Sequence, residues 1–143
     1  MKAFVTGATG FIGGYLARRL RERGDEVVAL VRSPEKAATL TELGCRLVAG
    51  DLGDEASIRV GVRGCDSAFH VAAMYKIGVP ASQRPEMHEA NVRGTDRVLR
   101  AAVDAGVERI VYVSTIGAFG NTKGNVVDET YRRPVDDFLS GYD

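Results

Sequence analysis

Three glycines in a short apolar-to-amphipathic transition constrain this chain more than any other feature. Ala3, Phe4 and Val5 run directly into Thr6-Gly7-Ala8-Thr9-Gly10-Phe11-Ile12-Gly13-Gly14. Such a pattern requires a strand, a tight turn and a helix in immediate succession. Gly7 lets the chain turn sharply off the strand, Gly10 lets the backbone approach a bound anion, and Gly13 lets the new helix pack close to the sheet. The helix start then offers free N–H groups and the positive end of its dipole. Gly7, Thr9, Gly10, Phe11, Ile12 and Gly13 are therefore candidates for holding a pyrophosphate. A purely structural turn is the competing reading. The spacing, Gly7-x-x-Gly10-x-x-Gly13, is one residue longer than G-x-G-x-x-G, and no Gly-Lys-Ser or Gly-Lys-Thr follows, which excludes a Walker loop.

The rest of the chain alternates strand-like and helix-like runs. Strands are expected near 2–6, 26–31, 46–50, 67–72 and 109–114, and helices near 11–23, 34–43, 54–62 and 86–105. Val27 to Val31 and Ile110 to Val113 are continuous apolar runs, which suit parallel strands buried on both faces. In the first helix, Ile12, Leu16 and Leu20 form the expected buried stripe, while Arg18, Arg21 and Arg23 face water and Gly24 ends the helix. Ser33 with Pro34, and Asp54, read as helix starts. Met87, Ala90, Gly94, Val98, Ala101 and Ala105 repeat at helical period. Five strands joined by crossover helices predict an α/β, doubly wound parallel sheet of order 3-2-1-4-5. Long irregular stretches near 73–85 and 116–137 follow strand ends, where ligands of such sheets bind.

Composition narrows the partners. The 143 residues suit one domain with one core. Lys plus Arg and Asp plus Glu balance at 19 each, so no net basic field argues for nucleic acid or an anionic membrane. No long apolar run or signal-like start is present, and a cytoplasmic location is expected. Cys45 and Cys65 lack metal or redox spacing, and Cys45, expected to open a buried strand, reads as a reduced core thiol. His70 and His88 lack partners at metal spacing and read as structural.

Five motifs in order resemble the extended short-chain dehydrogenases/reductases, which include epimerases, dehydratases and dihydroflavonol-reductase-like enzymes. They are Thr6-Gly7-Ala8-Thr9-Gly10-Phe11-Ile12-Gly13, Gly50-Asp51-Leu52, His70-Val71-Ala72-Ala73, Asn91-Val92-Arg93-Gly94-Thr95 and Tyr112-Val113-Ser114-Thr115. The resemblance covers essentially the whole chain. It implies a single Rossmann domain over 1–143, with Asp51 and Leu52 at an adenine ring, and Ala72 and Ala73 along the cofactor's path. It also implies that Asn91 braces the active-site end of the sheet. For Asp51 and Asn91 a purely structural loop or strand-end role is the alternative. Thr115 matches the family's substrate-oxygen serine or threonine, with Ser114 as its neighbour one register away. Tyr142 matches the acid/base tyrosine better than Tyr131 does. A free tyrosine has a pKa of about 10, and the family lowers it with a lysine four residues later. Here the sequence ends at Asp143, so the resemblance implies an N-terminal portion, truncated after the candidate catalytic tyrosine and inactive by itself.

Cofactor choice is read at the end of the second strand. Leu30-Val31-Arg32-Ser33 carries no acid to bind ribose hydroxyls, and Arg32 can fork onto a 2′-phosphate, with Ser33 and Lys36 nearby. A solvated surface arginine is the other reading. NADP(H) is expected over NAD(H). The expected activity is hydride transfer between NADP(H) and a carbonyl or alcohol substrate. The alternatives are a nucleotide-sugar epimerase or dehydratase holding NAD tightly, and a non-catalytic NADP-sensing or scaffold module. The expected partner is a small-molecule substrate, and a homodimer is compatible with these features.

Overall fold

In a computed structural model, the five strands form one parallel sheet of order β3-β2-β1-β4-β5. The structure describes residues 1–76, 78–134 and 142. The strands are β1 (Lys2–Thr6), β2 (Glu26–Val31), β3 (Arg46–Ala49), β4 (Ser67–His70) and β5 (Arg109–Tyr112). The helices are α1 (Phe11–Glu22), α2 (Ala38–Glu42), α3 (Glu55–Val62), α4 (Arg84–His88) and α5 (Gly94–Asp104). The expected doubly wound order is the observed one.

The two faces of the sheet carry separate cores, as the period-2 alternation of strand side chains requires. Ala3, Val5, Val27, Ala29 and Val31 pack with Ala17, Leu20 and Leu40 on one face. Phe4, Val28, Leu30 and Ala68 pack with Ile58, Val62, Val98 and Ala101 on the other. Glycines set the close approaches. A Cβ added at Gly61 would meet the Phe4 ring, and one at Gly94 would lie 2.7 Å from Leu52 Cβ.

Four local readings are corrected. The buried residues of α1 are Gly13, Ala17 and Leu20, and Ile12 is 56% exposed. The helix has rolled so that Gly13 meets the turn. Arg21 is not a solvated arginine: it donates to the carbonyls of Leu43 and Asp25, tying the α1 end to the α2 end. The expected helix at 34–43 splits into a 3-10 turn, Pro34–Lys36, and α2, and Ser33 provides no side-chain cap. Asp54 does cap α3, accepting from Ser57 N. The expected helix at 86–105 contains a π-helical stretch, Glu89–Arg93, between α4 and α5, and Ala105 is exposed beyond its end.

No helix among the described residues is long and apolar enough to cross a membrane. Among the same residues, no three His, Cys, Asp or Glu side chains gather as a metal site. Cys45 and Cys65 are buried free thiols, their pKa values pushed up by burial.

Candidate functional site

The order 3-2-1-4-5 reverses between β1 and β4, and the crevice of a doubly wound sheet opens where strand order reverses. The glycine turn sits at that place. Gly7 has φ +75°, and an added Cβ would lie 2.7 Å from Ala72 N, directly after β4. A Cβ at Gly13 would collide with the Gly7 carbonyl, whereas one at Gly10 would meet only that carbonyl, at 3.3 Å. Each glycine therefore has a distinct reason to be there. Gly7 serves the turn and the β4 crossing, Gly13 the helix seat, and Gly10 the open side.

The start of α1 is left open. Gly10 provides no side-chain cap, and the first turn contains no acid. The amides of Phe11, Ile12 and Gly13 are left without intrahelical acceptors, as at any helix start. Phe11 is 95% exposed beside them. Thr9, Gly10 and Phe11 line a groove of about 330 Å³ together with Tyr15, Arg18, Lys36 and Thr39. Lys36 is thus drawn towards the glycine turn. Arg32 is exposed, makes no ion pair among the described residues and does not line this groove. Ser33 is half-buried.

Asp51 is exposed beyond β3, and its Oδ1 accepts from Gly53 N at 2.7 Å, so the carboxylate closes its own turn. Leu52 packs into the second core while its carbonyl accepts from Arg97. Ala72 is half-buried against Gly7, and Ala73 is exposed.

A polar network that the sequence reading did not anticipate underlies the crevice. Thr6 and His70, paired across β1 and β4, are both fully buried. Thr6 Oγ1 lies 2.7 Å from His70 Nδ1 and accepts from the amides of Val71 and Ala72. His70 Nε2 lies 2.9 Å from Thr95 Oγ1, which itself donates to the Asn91 carbonyl. The Asn91 side chain holds the Met74 peptide at both ends, accepting from its N–H at 2.7 Å and donating to its carbonyl at 2.9 Å. Burial lowers the His70 pKa to about 4, so the ring is neutral at ordinary pH. Two sequence signals could have revealed this network: a threonine closing an apolar strand, and a threonine four residues after Asn91.

The expected chemical residues lie on the other side of β4. Thr115 is exposed, and its hydroxyl accepts from Gly117 N at 3.2 Å, starting the short turn Ile116–Phe119. Ser114 is exposed. The Tyr142 ring packs edge-on to Tyr75, with centroids 5.1 Å apart, while Tyr131 lies against Phe119. Asp143 and residues 135–141 lie outside the described residues.

Comparison with known proteins agrees with this architecture. A ketoreductase of Stigmatella aurantiaca acting on 4-hydroxy-2-methyl-3-oxo-4-farnesyl-3,4-dihydroquinoline-1-oxide is 39% identical over 143 residues, 99% of this chain and 42% of its own. Cinnamoyl-CoA reductase 1 of Petunia hybrida is 41% identical over 138 residues, 88% of this chain and 40% of its own. The dTDP-glucose 4,6-dehydratase of Streptomyces venezuelae, solved with NAD bound, superposes with a TM-score of 0.84 at 30% identity, covering 99% of this chain and 47% of its own. The chain thus spans less than half the length of these relatives. The profile of the NAD-dependent epimerase/dehydratase family matches residues 3–143. A glycine turn at the strand-order reversal, an uncapped helix start and a family match across nearly every residue lead to one conclusion: this chain belongs to the NAD-dependent epimerase/dehydratase family.

Proposed function

We propose that residues 1–143 are the dinucleotide-binding domain of an oxidoreductase and that this domain prefers NADP(H). The observation that carries the binding part is the uncapped, acid-free start of α1 at the crevice, with Gly10 leaving its approach open. Gly7, Thr9, Gly10, Phe11, Ile12 and Gly13 would hold the pyrophosphate. Asp51 and Leu52 would face the adenine, and Ala72 and Ala73 would leave room for the rest of the cofactor. The cofactor held by these residues would supply hydride chemistry at a carbonyl or alcohol carbon. Thr115 would bind the substrate oxygen and Tyr142 would move its proton. The substrate is a small molecule. A homodimer and cytoplasmic residence belong to the same reading, the latter because two free thiols stay reduced there.

NADP(H) preference rests on Arg32, a cation without an ion pair among the described residues where an NAD site would place an acid, and on Lys36 beside the glycine turn. Titration should show NADPH binding more tightly than NADH, and Arg32→Asp should erase or invert the difference. A charged hydrogen bond contributes roughly 1.5–3 kcal/mol, about ten- to a hundredfold in affinity. Equal or tighter NADH binding by the unmutated chain would defeat the preference. A second reading, epimerisation or dehydration of a nucleotide sugar on retained NAD, is favoured by the likeness to the dTDP-glucose 4,6-dehydratase with bound NAD. The two differ in whether the cofactor exchanges freely, which dialysis of the loaded protein measures.

A further inference from the structure

The network beneath the crevice has a definite proton order. The Asn91 carbonyl has no proton to give, so the Thr95 hydroxyl spends its single proton there, at 2.7 Å. Thr95 Oγ1 must therefore accept from His70, and the imidazole proton is on Nε2. Nδ1 is then a bare acceptor, and the Thr6 hydroxyl donates to it at 2.7 Å. With its proton spent, Thr6 Oγ1 has lone pairs for the amides of Val71 and Ala72, at 3.3 and 3.2 Å. Each hydroxyl and imidazole proton of this network is used once, and reversing the imidazole would leave Nε2 and Thr95 Oγ1 as acceptor facing acceptor.

Two walls of the crevice hang on the ends of this order. Thr6 immediately precedes Gly7, whose turn lies against Ala72. Thr95 and Asn91 lie one helical turn apart, and the Asn91 side chain fixes the Met74 peptide. The π-helical stretch Glu89–Arg93 contains Asn91, and such stretches are frequent at functional positions.

We propose that His70 is a positioning residue: bonded to Thr6 through one ring nitrogen and to Thr95 through the other, it couples the glycine turn after β1 to the Asn91 clamp on the segment after β4, so that both walls of the crevice are set together. His70 touches no reacting atom in this role. A merely space-filling histidine would tolerate either tautomer. A coupling histidine requires the Nε2–H form, and disturbing Thr95 must be felt at Ala72, on the far side of the ring. The cofactor part of this inference rests on the dinucleotide reading above; the tautomer part does not.

The test uses the 143-residue chain with Thr95→Val, Thr95→Ser, His70→Asn and His70→Gln. A long-range ¹H–¹⁵N spectrum should place the wild-type His70 proton on Nε2. Thr95→Val should move it to Nδ1, speed amide exchange at Val71 and Ala72, and weaken NADPH binding about tenfold. Thr95→Ser keeps the hydroxyl and should restore all three. His70→Asn keeps an acceptor near Thr6, whereas His70→Gln keeps a donor towards Thr95, so NADPH affinity should fall further in the Gln variant. An Nδ1 proton in the wild type overturns the proposal. So does a folded Thr95→Val chain with unchanged exchange at Val71 and Ala72, or undiminished NADPH affinity in both folded His70 variants. Failure of the wild type to bind either NADPH or NADH defeats the dinucleotide reading instead, and the tautomer and exchange measurements then decide the coupling.

Discussion

The strands on the two sides of β4 live in different surroundings. Every residue of β2 after Glu26 is buried. In β5, Val111 is 39% exposed and Tyr112 49%, although both strands are an apolar run after one charged residue. β2 lies between β1 and β3 and is covered on both faces, whereas β5, among the described residues, pairs only with β4 and stands last in the sheet. The glycine turn belongs to the covered side, and its geometry is fixed by backbone packing: Gly7 on Ala72 and Gly13 on Gly7. Thr115 and Tyr142 belong to the exposed side, where one hydroxyl serves a local turn and one ring packs on Tyr75. The geometry of the glycine turn is a property of the core, and the proposed chemistry is a property of the surface.

This contrast is most easily broken at Gly13. Gly13→Val would press a branched side chain into the Gly7 carbonyl, which is backbone and cannot turn aside. Destabilisation of about 3 kcal/mol or more is expected in denaturant titration. Near-wild-type stability would mean that α1 is not seated as tightly as the contact implies.

The second largest effect is acid sensitivity. The His70 pKa is lowered to about 4 by burial, against 6.5 for a free imidazole. The unfolded chain therefore binds a proton that the folded chain refuses between these values. Stability should be fully present above pH 6.5, fall as pH drops through 6.5 towards 4, and lose nothing more from this group below that. The whole loss is roughly 3 kcal/mol. Urea unfolding across this range should show the decline, and His70→Gln should flatten it.

The smallest effect sharpens the other half of the comparison. Val111→Thr, on the exposed strand, should change stability by no more than about 0.5 kcal/mol. The same substitution at Val28, which is 1% exposed in the second core, should cost about 1–3 kcal/mol, because a hydroxyl is buried there. Equal effects at both positions would remove the distinction.

Most of the architecture was legible because it depends on short-range physics. Continuous apolar runs marked buried parallel strands, and the three glycines marked the turn. The roll of α1 was only partly legible. Gly13, Ala17 and Leu20 are its buried residues, Leu16 packs against the same core and Ile12 is 56% exposed, because the missing side chain of Gly13 lets the helix start sit on the turn after β1. The π-helical stretch was not legible, because no residue type in Glu-Ala-Asn-Val-Arg requires it. Asp51 shows a further limit: the same carboxylate suits a ring amine or its own turn, and here it accepts from Gly53.

The π-helical stretch also bears on how this chain can change length. An i→i+5 turn holds one residue more than an ordinary helical turn. Losing one residue between Glu89 and Arg93 can therefore be absorbed by tightening to an α-turn, with α4 and α5 keeping their seats. The same loss within Gly94–Asp104 would swing Val98 and Ala101 out of the second core. Glu89–Arg93 is thus the helix's expansion joint: a one-residue gap against a relative belongs there, and moving it downstream would misalign Thr95 while leaving Asn91 in place.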